Sequence, residues 1–141
     1  MTMKTAALAA AIGLAALPAF AGMQAPDAQM HFKAIAGASV SDIMSQYAPG
    51  ATLHWIGGPL DGTYSTPAAI KGVWTKFSKA MGAENEMAKN IMVAGDAAGM
   101  TVTADVSFRG MKSVNVRYVL VYRGKQIVDE IWQIDAKTGS M

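Results

Sequence analysis

The stretch TVTADVSFRGMKSVNVRYVLVYRGKQIVDEIWQID, residues 101–135, decides the fold. In its first part Thr101, Thr103, Asp105 and Ser107 alternate with Val102, Ala104, Val106 and Phe108. That period of two is the mark of a strand with one buried and one wet face. Arg109-Gly110 breaks it, and residues 113–122 resume as a strand rich in Val and Tyr. Arg123-Gly124-Lys125 turns again, and residues 127–135 form the last strand. Long strands joined by tight turns predict an antiparallel meander.

Working back from this meander, residues 90–94 read as a further strand, followed by the turn Gly95-Asp96-Ala97-Ala98-Gly99. Before residue 86 the period is helical. Thr66-Pro67 supplies a capping hydroxyl and a proline at the first helical position. Ile70, Val73, Trp74, Phe77 and Met81 then make one apolar stripe, and Gly82 closes the helix. Residues 63–65 are a short extended piece, set off by the turn Asp61-Gly62. Residues 51–56 alternate as a strand that stops at Gly57-Gly58-Pro59. A second helix starts at Ser39, places Ile43 and Tyr47 on one face, and stops at Pro49-Gly50. A first helix covers residues 27–35, with Met30, Ala34 and His31 toward its buried side. Helices followed by a meander define an α+β order. The sheet is expected to curl around the helical stripe and leave a pocket on its concave side.

The ends of the chain bear on location. Lys4 precedes a short apolar run, and Ala19-Phe20-Ala21 has the small-x-small pattern of a cleavage site. Residues 1–21 therefore read as a secretory signal peptide, and residues 22–141 as a single domain. The run falls short of the roughly 20 apolar residues of a membrane span. A periplasmic or secreted protein is expected, with no membrane contact after cleavage. Removing Lys4 from the 12 Lys and Arg leaves 11 against 10 acidic residues. No basic stripe stands out, so nucleic acid is not an expected partner. The chain has no cysteine, which excludes thiolate ligands and thiol nucleophiles. Two histidines, His31 and His54, do not make a metal cage, and the 11 methionines show no tight cluster suited to copper. Gly57-Gly58-Pro59 lacks the Lys-Ser/Thr of a phosphate loop. No metal or cofactor is expected.

Two segments carry a resemblance. YAPGATLHW with GGPLDGTYSTPAAI, within residues 47–70, resembles the opening of SnoaL-like domains in the nuclear transport factor 2-like superfamily. RYVLVYRGKQIVDEIWQID, residues 117–135, resembles their closing hairpin. The resemblance implies a cone in which a curved antiparallel sheet wraps about three N-terminal helices around one pocket. It also implies a small organic ligand and a homodimer formed through the sheet. Relatives include ketosteroid isomerase-like enzymes, polyketide cyclases, dehydratases and proteins that only bind or associate. The isomerases keep a carboxylate base at the end of the first strand, where this chain reads His54-Trp55. Their usual mechanism is thereby disfavoured.

Candidate site residues follow from residue chemistry and this frame. His54 is a candidate base, because an imidazole suits proton transfer near neutral pH. One residue of register decides whether His54 or Trp55 faces the pocket. Glu130 shares a face with Val128, Trp132 and Ile134, and Asp129 with Ile127, Ile131 and Gln133. If Trp132 points inward, Glu130 is a buried acid or base, able to orient His54. Otherwise Asp129 is the inward acid. Tyr118 and Arg117 take opposite faces: one offers a phenolic donor, the other an anion clamp. Tyr47, Trp55, Trp74, Phe77 and Trp132 would line the pocket, with Arg117 at it. The leading expectation is a small-molecule binder. The alternatives are a cofactor-free isomerase, cyclase or dehydratase with His54 as base and Glu130 or Tyr118 in support, and a dimeric accessory domain.

Overall fold

A computed structural model describes residues 25–136. The expected signal peptide, residues 1–21, lies outside the described residues. The element order is α1 (Ala25–Ala36), α2 (Val40–Met44), β1 (Tyr47–Ile56), β2 (Gly62–Tyr64), α3 (Pro67–Met81), β3 (Asn85–Asp96), β4 (Gly99–Arg109), β5 (Ser113–Arg123) and β6 (Gln126–Ile134). One six-stranded sheet runs in the order β2-β1-β6-β5-β4-β3. Every neighbouring pair is antiparallel except β1 with β6, which is parallel. The chain can make that parallel pair because one helix, α3, and four strands lie between β1 and β6 and carry it across the sheet. The result is the α+β cone, with a curved sheet around three helices.

α3 forms as its sequence dictates. The Thr66 hydroxyl accepts from the Ala69 N–H at 3.1 Å, and Pro67 opens the first turn. Ile70, Val73, Trp74, Phe77 and Met81 are all buried against the sheet. Each such side chain stabilises the fold by about 1.5–3 kcal/mol. Gly82, at φ 66°, ends the helix where a side chain would be strained.

Three local expectations are corrected. In α1 the buried stripe is Ala28, His31, Phe32 and Ile35, all at 0 % exposure, while Met30 is 60 % exposed. The spacing i, i+3, i+4, i+7 belongs to the former set. α2 ends at Met44, and Tyr47 starts β1 instead of extending the helix. Tyr47 pairs with Ile127, then the register jumps to Thr52 with Asp129. Pro49 and Gly50 fall in this irregular, exposed stretch, where a missing N–H breaks no ladder bond. The strict alternation read into β6 also fails at its start. A shift between Val121 and Tyr122 leaves Val128 without a partner on β5. Ile127 therefore turns inward with Glu130 and Trp132 rather than outward with Asp129.

Candidate functional site

The concave face of the sheet is built by alternation. Leu53 and Trp55 on β1, Tyr118, Leu120 and Tyr122 on β5, and Glu130 and Trp132 on β6 all point inward and are buried. The same alternation turns their neighbours outward. Of the pair left open in β1, Trp55 is inside and His54 outside. In β5 Tyr118 is inside and Arg117 outside, and in β6 Glu130 is inside and Asp129 outside.

Glu130 is the centre of the interior. It is fully buried, as is His31, and these are the buried polar or charged side chains among the described residues. Three side chains from three elements converge on its carboxylate. Tyr47 donates to Oε1 and Tyr118 to Oε2. His31 Nε2 lies 2.8 Å from Oε2. Trp74 Nε1 in turn donates to the Tyr47 hydroxyl oxygen at 2.8 Å. That bond fixes the direction of the chain: Tyr47 accepts from the indole, so its own proton goes to Glu130. An ionised carboxylate only accepts, and it suits this set of donors. In the neutral tautomer that donates from Nε2 to this carboxylate, the His31 Nδ1 is an acceptor. No group among the described residues bonds that buried Nδ1. The ring is held edge-on by Tyr47, Trp74 and Tyr118, with centroids 5.5, 6.4 and 6.1 Å away.

The phenols stay donors through the neutral range. Burial, and next the charge of Glu130, push the Tyr47 and Tyr118 hydroxyls well above the ordinary tyrosine range. Tyr122 is pushed up as well, by burial first and then by the charges of Glu130 and Asp27. Its hydroxyl is buried and has no partner among the described residues.

The aromatic residues expected around a pocket stack on one another. Trp132 lies between Trp55 and Phe108, at 4.6 and 5.3 Å, with interplanar angles of 28° and 23°. Phe77 meets Trp55, Trp74 and Trp132 edge-on at 5.2–5.7 Å. These rings form the core of the cone as well as the walls of its interior.

His54 and Arg117 belong to the other face of the sheet. The expectation that Glu130 orients His54 is corrected: Glu130 stands beside Leu53, and the sheet separates it from the imidazole. His54 Nε2 instead lies 3.3 Å from Asp129 Oδ1, both side chains being partly exposed. His54 borders an open surface cleft of about 350 Å³ with Asp61, Thr63 and Ile131. Arg117 is likewise displaced from the expected pocket. Its Nε donates to Asp105 Oδ1 at 2.5 Å on the convex side, and Asn90 Nδ2 donates to Oδ2 of the same carboxylate at 2.8 Å. These bonds to Asn90 and Arg117 lower the Asp105 pKa. His31 is the interior residue that sequence reasoning undervalued. The signal was present, since a lone histidine stands on the Ala28–Phe32–Ile35 stripe.

No family model matches the sequence, and no curated protein matches it. Solved structures match the fold. A nuclear transport factor 2-like protein of unknown function from Pseudomonas putida superposes with a TM-score of 0.66 at 14 % identity, over 80 % of this chain and 86 % of that one. A ketosteroid isomerase-like fold from Catenulispora acidiphila, in complex with trimethylamine, gives 0.58 at 16 % identity, over 78 % and 85 %. A candidate polyketide cyclase from Sinorhizobium meliloti gives 0.53 at 20 % identity, over 77 % and 94 %. The chain thus has the nuclear transport factor 2-like fold, the architecture its sequence resembles. Of these neighbours, one holds trimethylamine and one is described as a candidate polyketide cyclase.

Proposed function

We propose that the protein binds a small, largely apolar organic molecule inside the cone, with His31 and the Glu130 cluster as the polar anchor. One observation carries the reading. The His31 ring is fully buried, Glu130 holds its Nε2, and its Nδ1 has no partner among the described residues. A buried carboxylate–imidazole pair is seldom the most stable way to fill a core. Such departures from an apolar core cluster at functional sites. The likeness to a structure holding trimethylamine supports a small ligand in such a fold. The test is a thermal-shift and fluorescence screen with small aromatic and isoprenoid-like molecules, on the wild type and on His31→Phe. Saturable binding that His31→Phe loses supports the reading. A screen in which no compound shifts the wild type overturns it.

The second reading is an acid–base enzyme, and the same imidazole favours it. With Nε2 fixed by a carboxylate, Nδ1 is oriented to take a proton from a bound molecule. His31 thereby takes the place that the sequence assigned to His54. An isomerase, cyclase or dehydratase of this kind would lose turnover in His31→Phe and keep it in His54→Ala. Retained turnover in His31→Phe would exclude the mechanism.

Export and association complete the proposal. Cleavage after Ala21 would release a periplasmic or secreted protein starting at Gly22. N-terminal sequencing of protein from the periplasmic fraction checks it, and retention of residues 1–21 would exclude it. A homodimer would use the convex face, where Val119, Val121 and Ile131 are only half-buried. Light scattering that returns a monomer mass would exclude that face as a stable interface.

A further inference from the structure

The indole N–H groups of the interior differ in their partners. Trp74 Nε1 is used within the protein, donating to Tyr47 at 2.8 Å. Trp55 Nε1 and Trp132 Nε1 are buried and have no acceptor among the described residues. The side chains themselves are 3 % and 0 % exposed. An indole N–H is a donor only, and a buried donor without an acceptor is costly. Two such donors stand side by side. Trp55 and Trp132 are register partners on the parallel strands β1 and β6, and their rings lie 4.6 Å apart.

We infer that Trp55 and Trp132 form a donor pair that selects an uncharged ligand carrying an acceptor oxygen, a carbonyl or an ether. This rests on the interior being the ligand site. Charge and geometry favour this class over ions. An anion would meet the Glu130 carboxylate with no buried Lys or Arg among the described residues to offset it. A cation would compete for the Trp132 ring with Trp55 and Phe108, which already stack on it. It would also need an open acceptor on Glu130, whose carboxylate already takes Tyr47, Tyr118 and His31. A carbonyl or ether oxygen supplies the acceptor that such an N–H lacks. Apolar ligands without an acceptor would leave both donors unpaired, so the pair sets selectivity as well as affinity.

The experiment uses four molecules of one size: acetophenone, ethylbenzene, benzoate and benzylamine. Each is titrated into ¹⁵N-labelled protein while the three indole N–H resonances are followed. Single Trp→Phe variants assign the resonances, and Trp74 is the internal control. Acetophenone should bind about tenfold or more tighter than ethylbenzene, the loss expected for one unpaired hydrogen bond. It should shift the Trp55 and Trp132 resonances and leave that of Trp74 in place. Trp55→Phe and Trp132→Phe should each narrow the preference while still binding ethylbenzene. Equal binding of ethylbenzene, with the indole resonances unmoved by acetophenone, overturns the donor pair and leaves interior binding standing. Preference for benzoate or benzylamine overturns it too. If none of the four gives a saturable shift in the wild type, the interior-site reading fails, and this inference with it.

Discussion

The residue that organises the interior is Glu130, and its worth can be measured. Removing the carboxylate in Glu130→Ala strands Tyr47, Tyr118 and His31 Nε2 at once inside the core. Leaving three buried polar groups without their acceptor, at about 1–3 kcal/mol each, costs about 3 kcal/mol or more. Tyr118→Phe removes a single donor and leaves the carboxylate with two, so about 1–2 kcal/mol is expected. Urea denaturation of both variants checks the order, and a loss in Glu130→Ala no larger than in Tyr118→Phe would contradict it. The sequence limited this site to pairs without choosing within them. Glu130 or Asp129, Tyr118 or Arg117, and Trp55 or His54 each follow from strand alternation. Which member is inside depends on the face that receives α3, and that is a long-range fact. His31 was harder to see. Its importance depends on meeting Glu130 across a sequence separation of 99 residues, which no local pattern encodes.

At the scale of elements, the parts that were legible are those whose signals are local. The capping Thr66, Pro67, the five-residue stripe and Gly82 all agree on α3, and the helix follows them. Thr66→Ala should therefore cost about 1 kcal/mol, the usual worth of a capping hydroxyl, read as a lower denaturation midpoint with an unchanged slope. The β4–β5 turn is less forgiving. A Cβ on Gly110 would stand 2.9 Å from the Met81 and Ala83 carbonyl oxygens and from Glu84 Cγ. Backbone oxygens cannot move aside as a side-chain tip can, so Gly110→Ala should cost more than the cap, about 2–3 kcal/mol. A smaller loss than in Thr66→Ala would show that the turn can shift. The boundary misread in the sequence, at Tyr47, has a different origin. Tyr47 continues a plausible helical face with Ile43, but pairing with Ile127 in a parallel ladder claims it for β1. The break in that ladder between Tyr47 and Thr52 is what lets Pro49 lie within the strand. Propensity and punctuation, which are local, do not register such a competitor.

For the whole molecule, one group ties stability to pH near neutrality. Glu84 joins three parts of the fold: its N–H donates to Ala36 O at 2.7 Å, at the end of α1, it follows α3, and its Cγ backs Gly110. Both of its carboxylate oxygens are buried and unpartnered among the described residues. Burial pushes its pKa from 4.5 up to about 7. The sign then follows from proton counting. Between pH 4.5 and about 7 the folded state holds a proton on Glu84 that the unfolded chain has released. Over that window the unfolded state binds fewer protons at this group, so its contribution to stability falls as pH rises. Below the window both states are protonated, and above it both are ionised, so the contribution is level on each side. An amide keeps the shape and has no charge to bury. Glu84→Gln should thus match the wild type near the acid end of the window and exceed it in Tm above neutrality. The comparison isolates Glu84, because Asp105, with a pKa held low by Asn90 and Arg117, is present in both proteins. Its own contribution has the opposite sign and is lost in acid, below the window. Thermal unfolding of the pair across this pH range decides the matter: parallel curves, with no gap opening as pH rises, would mean that Glu84 ionises without cost in the folded state.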